Sequence, residues 1–261
     1  MSHWYLGTIG FSYKEWVGAF YPTGTAQRDY LSYYCQVFNS VELDTTFHSI
    51  PQRSTVKSWA SSTPPEFKFC LKTPRVITHD LGLKATEGLM NEFFDSIYPI
   101  KDKTGPILIQ LPPKYSQDNY SVLSDFLDML SNTYRYAVEF RHPSWYNIRT
   151  TQLLSKHHVC WVTIDYPNLP KQINVTTDFL YFRWIGINGM YQIHSYERVD
   201  KTTQLKWWLQ VIHPFLDQAQ RLYGFFNNDY AGFAVGTCKR FKLLAGLNDN
   251  KQNIPYQEML F

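Results

Sequence analysis

The sequence predicts an α/β fold, a single (β/α)8 barrel, from three observations. Eight short β-rich runs recur along the chain, helical periodicity separates most of them, and one face of the runs turns polar toward their C-terminal ends. In an open, doubly wound sheet both faces of a central strand pack on helices and read as continuously apolar. Alternation therefore favours the barrel over the open sheet.

The first run, 4–9, is followed by a helical pattern over 26–37. The second, 40–44, sends Val41 and Leu43 to one side and Glu42 and Asp44 to the other, and a helix is predicted over 54–60. The third, 67–71, alternates Phe69 and Leu71 with Cys70 and Lys72 ahead of a helix over 85–97. The fourth, 106–111, sets Ile107 and Ile109 against Leu108 and Gln110, exits at Pro112-Pro113 and precedes a helix over 121–130. The fifth, 136–140, is the densest: Val138 and Phe140 against Glu139 and Arg141, with His142, Pro143, Ser144 and Trp145 at its exit and a helix over 150–157. The sixth, 159–165, is read with Val162 and Ile164 toward the helices and Thr163 and Asp165 toward the interior, leaving at Pro167. The seventh, 179–184, sets Leu180 and Phe182 against Tyr181 and Arg183. The segment Ile185-Gly186-Ile187-Asn188-Gly189-Met190-Tyr191 then predicts an extended loop over the strand ends. A helix over 203–220, the eighth run at 223–227 and a helix over 230–244 complete a barrel domain of 1–247. A polar tail over 248–261 is expected to be poorly ordered.

Composition narrows the function classes. With 44% hydrophobic and 18% charged residues, the 261-residue chain has the material for a sizeable core. Its net charge of +3 comes without a basic run, which argues against strong nonspecific nucleic-acid binding. The N-terminal segment does not read as a leader and no apolar run reaches the ~20 residues of a membrane span, so a cytoplasmic protein without a membrane partner is expected. Cys35, Cys70, Cys160 and Cys238 are dispersed through apolar segments and read as buried free thiols. The 17% aromatic content, with 19 Tyr and 8 Trp, suggests that some rings line a cleft.

The motifs Phe20-Tyr21-Pro22, Val41-Glu42 through Thr46-Phe47, Ile77-Thr78-His79, Gln110-Leu111-Pro112-Pro113, Val138 through Trp145, Tyr181 with Arg183, and Phe226-Asn227-Asn228 followed by Gly232 span nearly the whole chain. Together they resemble the YecE-like family, also called domain of unknown function 72. The resemblance implies a TIM barrel and supplies no biochemical activity. Two positions depart from the family pattern: Ile185 stands where a His usually precedes Gly186, and Asp44-Thr45-Thr46-Phe47-His48 replaces the usual Asn-Ser-Thr-Phe-Tyr.

The predicted inner face pairs the candidate catalytic carboxylates Glu42, Glu139 and Asp165 with the cations Lys72, Arg141 and Arg183. An acid/base pair drawn from these carboxylates fits hydrolysis of a glycosidic bond, one member held ionised by a cation and the other raised by burial. The cations suit a phosphate or carboxylate. Tyr13, Trp16, His79, Gln110, His142, Trp145, Asn227 and Asn228 complete the candidate ligand-binding set. Phe11, Phe47, Tyr181 and Tyr230 add rings whose plainer reading is core packing. No cofactor is predicted; the alternative is one divalent metal on Glu42, His79, Glu139, His142 and Asp165, which the neighbouring cations oppose. Ser144 reads as a helix cap rather than a nucleophile, and Asp229 as the cap of the last helix. The expected function is an enzyme or binding protein for a phosphorylated, sugar or nucleotide-like compound. The alternative is a nucleic-acid-binding module that stacks bases on the aromatics.

Overall fold

The computed structural model describes residues 2–247, so the expectation for the 248–261 tail lies outside the described residues. The β-rich runs form nine short parallel strands: β1 (His3–Thr8), β2 (Ser40–Leu43), β3 (Lys68–Leu71), β4 (Ile107–Gln110), β5 (Tyr136–Glu139), β6 (Cys160–Trp161), β7 (Thr163–Asp165), β8 (Phe179–Trp184) and β9 (Arg221–Phe226). Helices α1 (Tyr30–Tyr34), α2 (Thr45–His48), α3 (Arg53–Ser61), α4 (Glu87–Ile97), α5 (Tyr120–Asp128), α6 (Ile148–Lys156), α7 (Thr202–Ile212), α8 (Asn228–Ala231) and α9 (Ala234–Leu244) lie between and after them. This is a mixed α/β fold with parallel sheets. Among the described residues no helix is long and apolar enough to cross a membrane.

Three sheets run in the orders β1-β9-β8-β7, β2-β3 and β4-β5-β6. Isolated parallel bridges link Ile9 with Glu42 and Lys72 with Leu108. Only Val162 separates β6 from β7, and its N–H donates to the Val138 carbonyl at 2.9 Å.

Local chemistry sets the helix limits. Asn147 caps α6 by accepting from Thr150 N at 3.2 Å, so Asn147 fills the role expected of Ser144, whose hydroxyl instead accepts from Gln117 N at 2.9 Å. The helix expected over 230–244 is two helices, because Gly232 adopts φ 99°, a left-handed turn that ends α8. Asn227, not Asp229, caps α8 by accepting from Asp229 N at 2.8 Å. The helix expected over 203–220 stops at Ile212, where Pro214 opens a 3-10 turn.

The strands separate two apolar layers. Val41, Leu43, Phe69, Leu71, Ile107, Ile109, Val138, Phe140, Leu180 and Phe182 join helix residues such as Val56, Phe93, Leu123 and Trp208. The opposite face contributes Ile9, Cys70, Leu108, Ala137, Tyr181, Tyr223 and Phe225. The sixth run reverses its expected orientation. Val162 and Ile164 join this second layer, whereas Trp161 packs with the helices and Asp165 bonds to Trp208 and Tyr230 of that helix-side layer. Both alternating sets contain a residue suited to either side. The helix-side donors and the bulk of Trp161 decide the parity.

Candidate functional site

Three strands from three different sheets bring Glu42, Glu139 and Arg183 together at their C-terminal ends. Arg183 Nε and Nη2 grip Glu42, with Nη2 donating to Oε1 at 2.7 Å, while Nη1 donates to Glu139 Oε2 at 2.5 Å. The Tyr181 hydroxyl donates to Glu42 Oε2 at 2.7 Å, and Arg141 Nε donates to Glu139 Oε1. Both carboxylates are fully buried, and Arg183 is 5% exposed. Each carboxylate is surrounded by donors, the arrangement in which burying a charge is tolerable.

Burial by itself would raise Glu139, but Arg141 and Arg183 outweigh it and bring the carboxyl from 4.5 to about 2. Burial pushes Glu42 above its ordinary value against the opposing pull of Arg183 and Tyr181. The two carboxyls are thus driven apart.

Lys72 follows β3 at the edge of this network. Its amine sits 3.8 Å over the Phe47 ring and forms no carboxylate pair among the described residues, since Arg183 occupies the carboxylates within the interior. Burial, then the neighbouring Arg183 charge, press this amine from 10.5 to about 8, against the pull of Glu139, Glu42 and Asp44. His79 meets the Phe47 ring edge-on at 4.9 Å and shares a 2.8 Å hydrogen bond between Nδ1 and the Thr78 hydroxyl. Burial and then Lys72 lower it to about 4. On the other flank, the Arg141 guanidinium lies 4.2 Å over the Tyr166 ring, and neither of its terminal nitrogens donates a hydrogen bond to the described residues.

One cleft is lined by Tyr166 and another by His79. The first, of about 440 Å³, is lined by Tyr166, Asp165, Lys171, Tyr191, Lys201 and Tyr230 among others. The smaller one, of about 240 Å³, is lined by residues including His79, Lys84, Lys114, Tyr115 and Asn119. Asp229 accepts from Gly189 N at 2.9 Å and so pins the loop that forms part of the larger cleft's wall.

The structure does not gather every expected residue. Asp165 belongs to the larger cleft and not to the Glu42–Glu139 cluster. It accepts from Trp208 Nε1 at 2.8 Å and Tyr230 Oη at 2.9 Å, and it pairs with Lys171 Nζ at 2.7 Å. The five-residue metal alternative is therefore not assembled, and among the described residues no group of three or more His, Cys, Asp or Glu could hold a metal ion. Trp16 and Trp145 are fully buried core residues. Trp145 donates to the Tyr115 carbonyl at 2.7 Å and stacks on Phe140 at 4.7 Å, leaving no face for a ligand. Tyr13 donates to the Ile9 carbonyl at 2.8 Å beside Trp16. Gln110 donates to the Leu111 carbonyl at 2.8 Å. His142 accepts from Ser144 N at 3.2 Å as a turn cap. Asn228 accepts from Ala234 N at 3.0 Å. Asn227, Asn228 and His142 thus organise backbone. Ile185 occupies the apolar interior layer rather than a polar wall. Lys171 and Lys201 escaped the sequence reading because they lie on irregular segments without periodicity, whereas Tyr191 belongs to the 185–191 segment expected to extend over the strand ends.

The profile of the family described as "Protein of unknown function DUF72" matches residues 5–259. Among curated proteins, UPF0759 protein YecE of Escherichia coli K12 is 32% identical over 142 residues, which is 54% of this chain and 50% of that protein. UPF0759 protein YunF of Bacillus subtilis 168 is 28% identical over 151 residues, 55% of this chain and 52% of that protein. The matched stretches therefore span about half the length of these curated relatives. A crystal structure of a DUF72 family protein from Thermotoga maritima MSB8 superposes with a TM-score of 0.80 at 31% identity, covering 94% of this chain and 99% of that one. Another, from Enterococcus faecalis V583, gives 0.79 at 20% identity over 95% and 99% of the two chains, a likeness of fold.

Proposed function

The chain belongs to the DUF72 family, and from that premise we propose that it binds and acts on a small phosphorylated or carboxylated compound at the C-terminal ends of its strands. The observation that carries this reading is the set of cationic donors left open beside the cluster: Lys72, Arg141 and Arg183 stand against Glu42, Glu139 and Asp44, yet the Lys72 amine and the Arg141 terminal nitrogens form no carboxylate pair among the described residues. A guanidinium with open donors, fixed at one edge by Glu139 and backed by Tyr166, is preorganised for an oxyanion. Glu42 and Glu139 then act as positioning residues that orient the arginines. The cleft of about 440 Å³ beyond Tyr166 lies on the Arg141 side and is within the size range of small-molecule sites.

The opposed shifts of Glu42 and Glu139 support a second reading, acid/base hydrolysis by that pair. It requires a ligand to displace donors from at least one carboxylate.

We also propose closure of the strands into one (β/α)8 barrel over 1–247, with β6 and β7 counted as one interrupted strand. The Ile9–Glu42 and Lys72–Leu108 bridges support a continuous circuit between the three sheets. The free thiols of Cys35, Cys70, Cys160 and Cys238 favour a cytoplasmic setting.

Titration with inorganic phosphate, followed by calorimetry and thermal shift, tests the anion reading. Saturable stabilisation that Arg141→Met abolishes is expected. Absence of stabilisation, or equal stabilisation in the variant, overturns it.

A further inference from the structure

We propose that the Lys72 amine is a nucleophile that condenses with the carbonyl group of a small anionic aldehyde or ketone. This deepens the anion-binding reading and rests on it for the choice of substrate class.

The backbone at Lys72 is fixed from both sides. Its N–H donates to the Leu43 carbonyl at 3.1 Å, Thr46 Oγ1 donates to its carbonyl at 2.6 Å, and a parallel bridge joins it to Leu108. The side chain then rests on Phe47 while remaining partly open to solvent. The groups around the amine divide clearly. Arg183 from β8 repels its proton; Glu139 from β5, Glu42 from β2 and Asp44 beyond β2 retain it; His79 contributes an uncharged imidazole at neutral pH. Burial and the Arg183 charge prevail, and about 8 is the result. Desolvation beside a second cation is an established way to activate a lysine. At pH 7 this leaves roughly two orders of magnitude more free amine than an ordinary lysine has.

In the step itself, the Nζ lone pair forms the N–C bond and the carbonyl π electrons move to oxygen. Oxygen takes up protons and leaves as water, and nitrogen loses two protons to give the neutral imine. Arg141, on the opposite flank of the network, supplies the charge that holds the substrate's anionic group.

Wild-type protein treated with pyridoxal 5′-phosphate and sodium borohydride, digested and mapped by mass spectrometry between pH 6 and 10, tests this. The imine at Lys72 is expected to form and be trapped by reduction about tenfold faster than that at exposed Lys57, the larger free-base fraction of Lys72 being only partly offset by its lower intrinsic nucleophilicity. The rate should rise with a midpoint near pH 8, and the adduct should vanish in Lys72→Met. A parallel arm uses formaldehyde, which carries no charge. Preferential labelling of Lys72 by formaldehyde without preference for the phosphorylated aldehyde keeps the nucleophile and removes the anionic substrate. Phosphate binding with Lys72 left unlabelled by both aldehydes removes the nucleophile and keeps the anion site.

Discussion

Arg183→Met isolates the central ion network, because methionine retains much of the side-chain length and removes the charge. The substitution deletes the two-nitrogen grip on Glu42 and the bond to Glu139. Glu139 keeps Arg141, whereas Glu42 keeps only the Tyr181 hydroxyl. Breaking one side of a buried pair leaves an uncompensated charge and costs about 3–5 kcal/mol. At roughly 2–4 °C per kcal/mol for a chain approaching this size, the melting temperature should fall by about 10 °C. Burial, helped by the Glu139 charge, then outweighs the Tyr181 hydrogen bond and lifts the Glu42 pKa further above its unfolded value. Folded protein therefore binds more protons than unfolded protein between the two pKa values, and the variant recovers stability as pH falls through the raised pKa toward the unfolded one. The pH dependence assigns the deficit to Glu42. Guanidinium unfolding with coincident fluorescence and circular dichroism transitions measures it, and Glu42→Gln in the Arg183→Met background should recover about 1–3 kcal/mol. A deficit below about 1 kcal/mol, or one that does not change with pH, refutes the reasoning.

Glu139 predicts acid sensitivity of the wild type: its carboxyl is depressed from 4.5 to about 2, so stability is full above pH 4.5 and is lost as pH falls toward 2, by about 3 kcal/mol. Acid titration of Glu139→Gln should lack that component. Lys72 gives the same sign of pH slope from the opposite cause, since a lysine lowered in the fold penalises its charged form below about 8; wild-type stability relative to Lys72→Met should therefore improve as pH rises from 8 to 10.5. Asp165→Ala strands the Trp208 and Tyr230 donors and should cost about 1–3 kcal/mol in urea unfolding, with Asp165→Asn less damaging because its amide oxygen still accepts. Gly186→Ala would place a Cβ 2.2 Å from the Asp229 carbonyl oxygen at a residue with φ 74°, and it should increase hydrogen exchange across 186–191.

Periodicity made much of the architecture legible. The alternation of Val41 with Glu42 and of Val138 with Glu139 identified both the helix-facing side and the buried carboxylates. The same rule failed at 162–165, where Trp208 and Tyr230, remote in sequence, determine which way Asp165 points. Short elements were also concealed: α2 and the π-turn Val76–Asp80 are too brief to express a period, although together they place Phe47 and His79 beside Lys72. Trp16 and Trp145 looked available for ligands because composition cannot distinguish a ring in a cleft from a ring in the core. The larger cleft depends on Lys171, Tyr191 and Lys201 in irregular backbone, and only tertiary structure brings them together.

The Arg183 tie also constrains the order in which the chain can acquire structure. Glu42 and Glu139 are synthesised 141 and 44 residues before the guanidinium that neutralises them. Until β8 leaves the ribosome, an early strand assembly that buries these carboxylates lacks a major source of positive charge. Such long-range closure is slow and favours completion late in synthesis. A nascent chain ending before residue 183 is therefore expected to remain protease-sensitive, with protection arising only after β8 and its partner β9 have emerged.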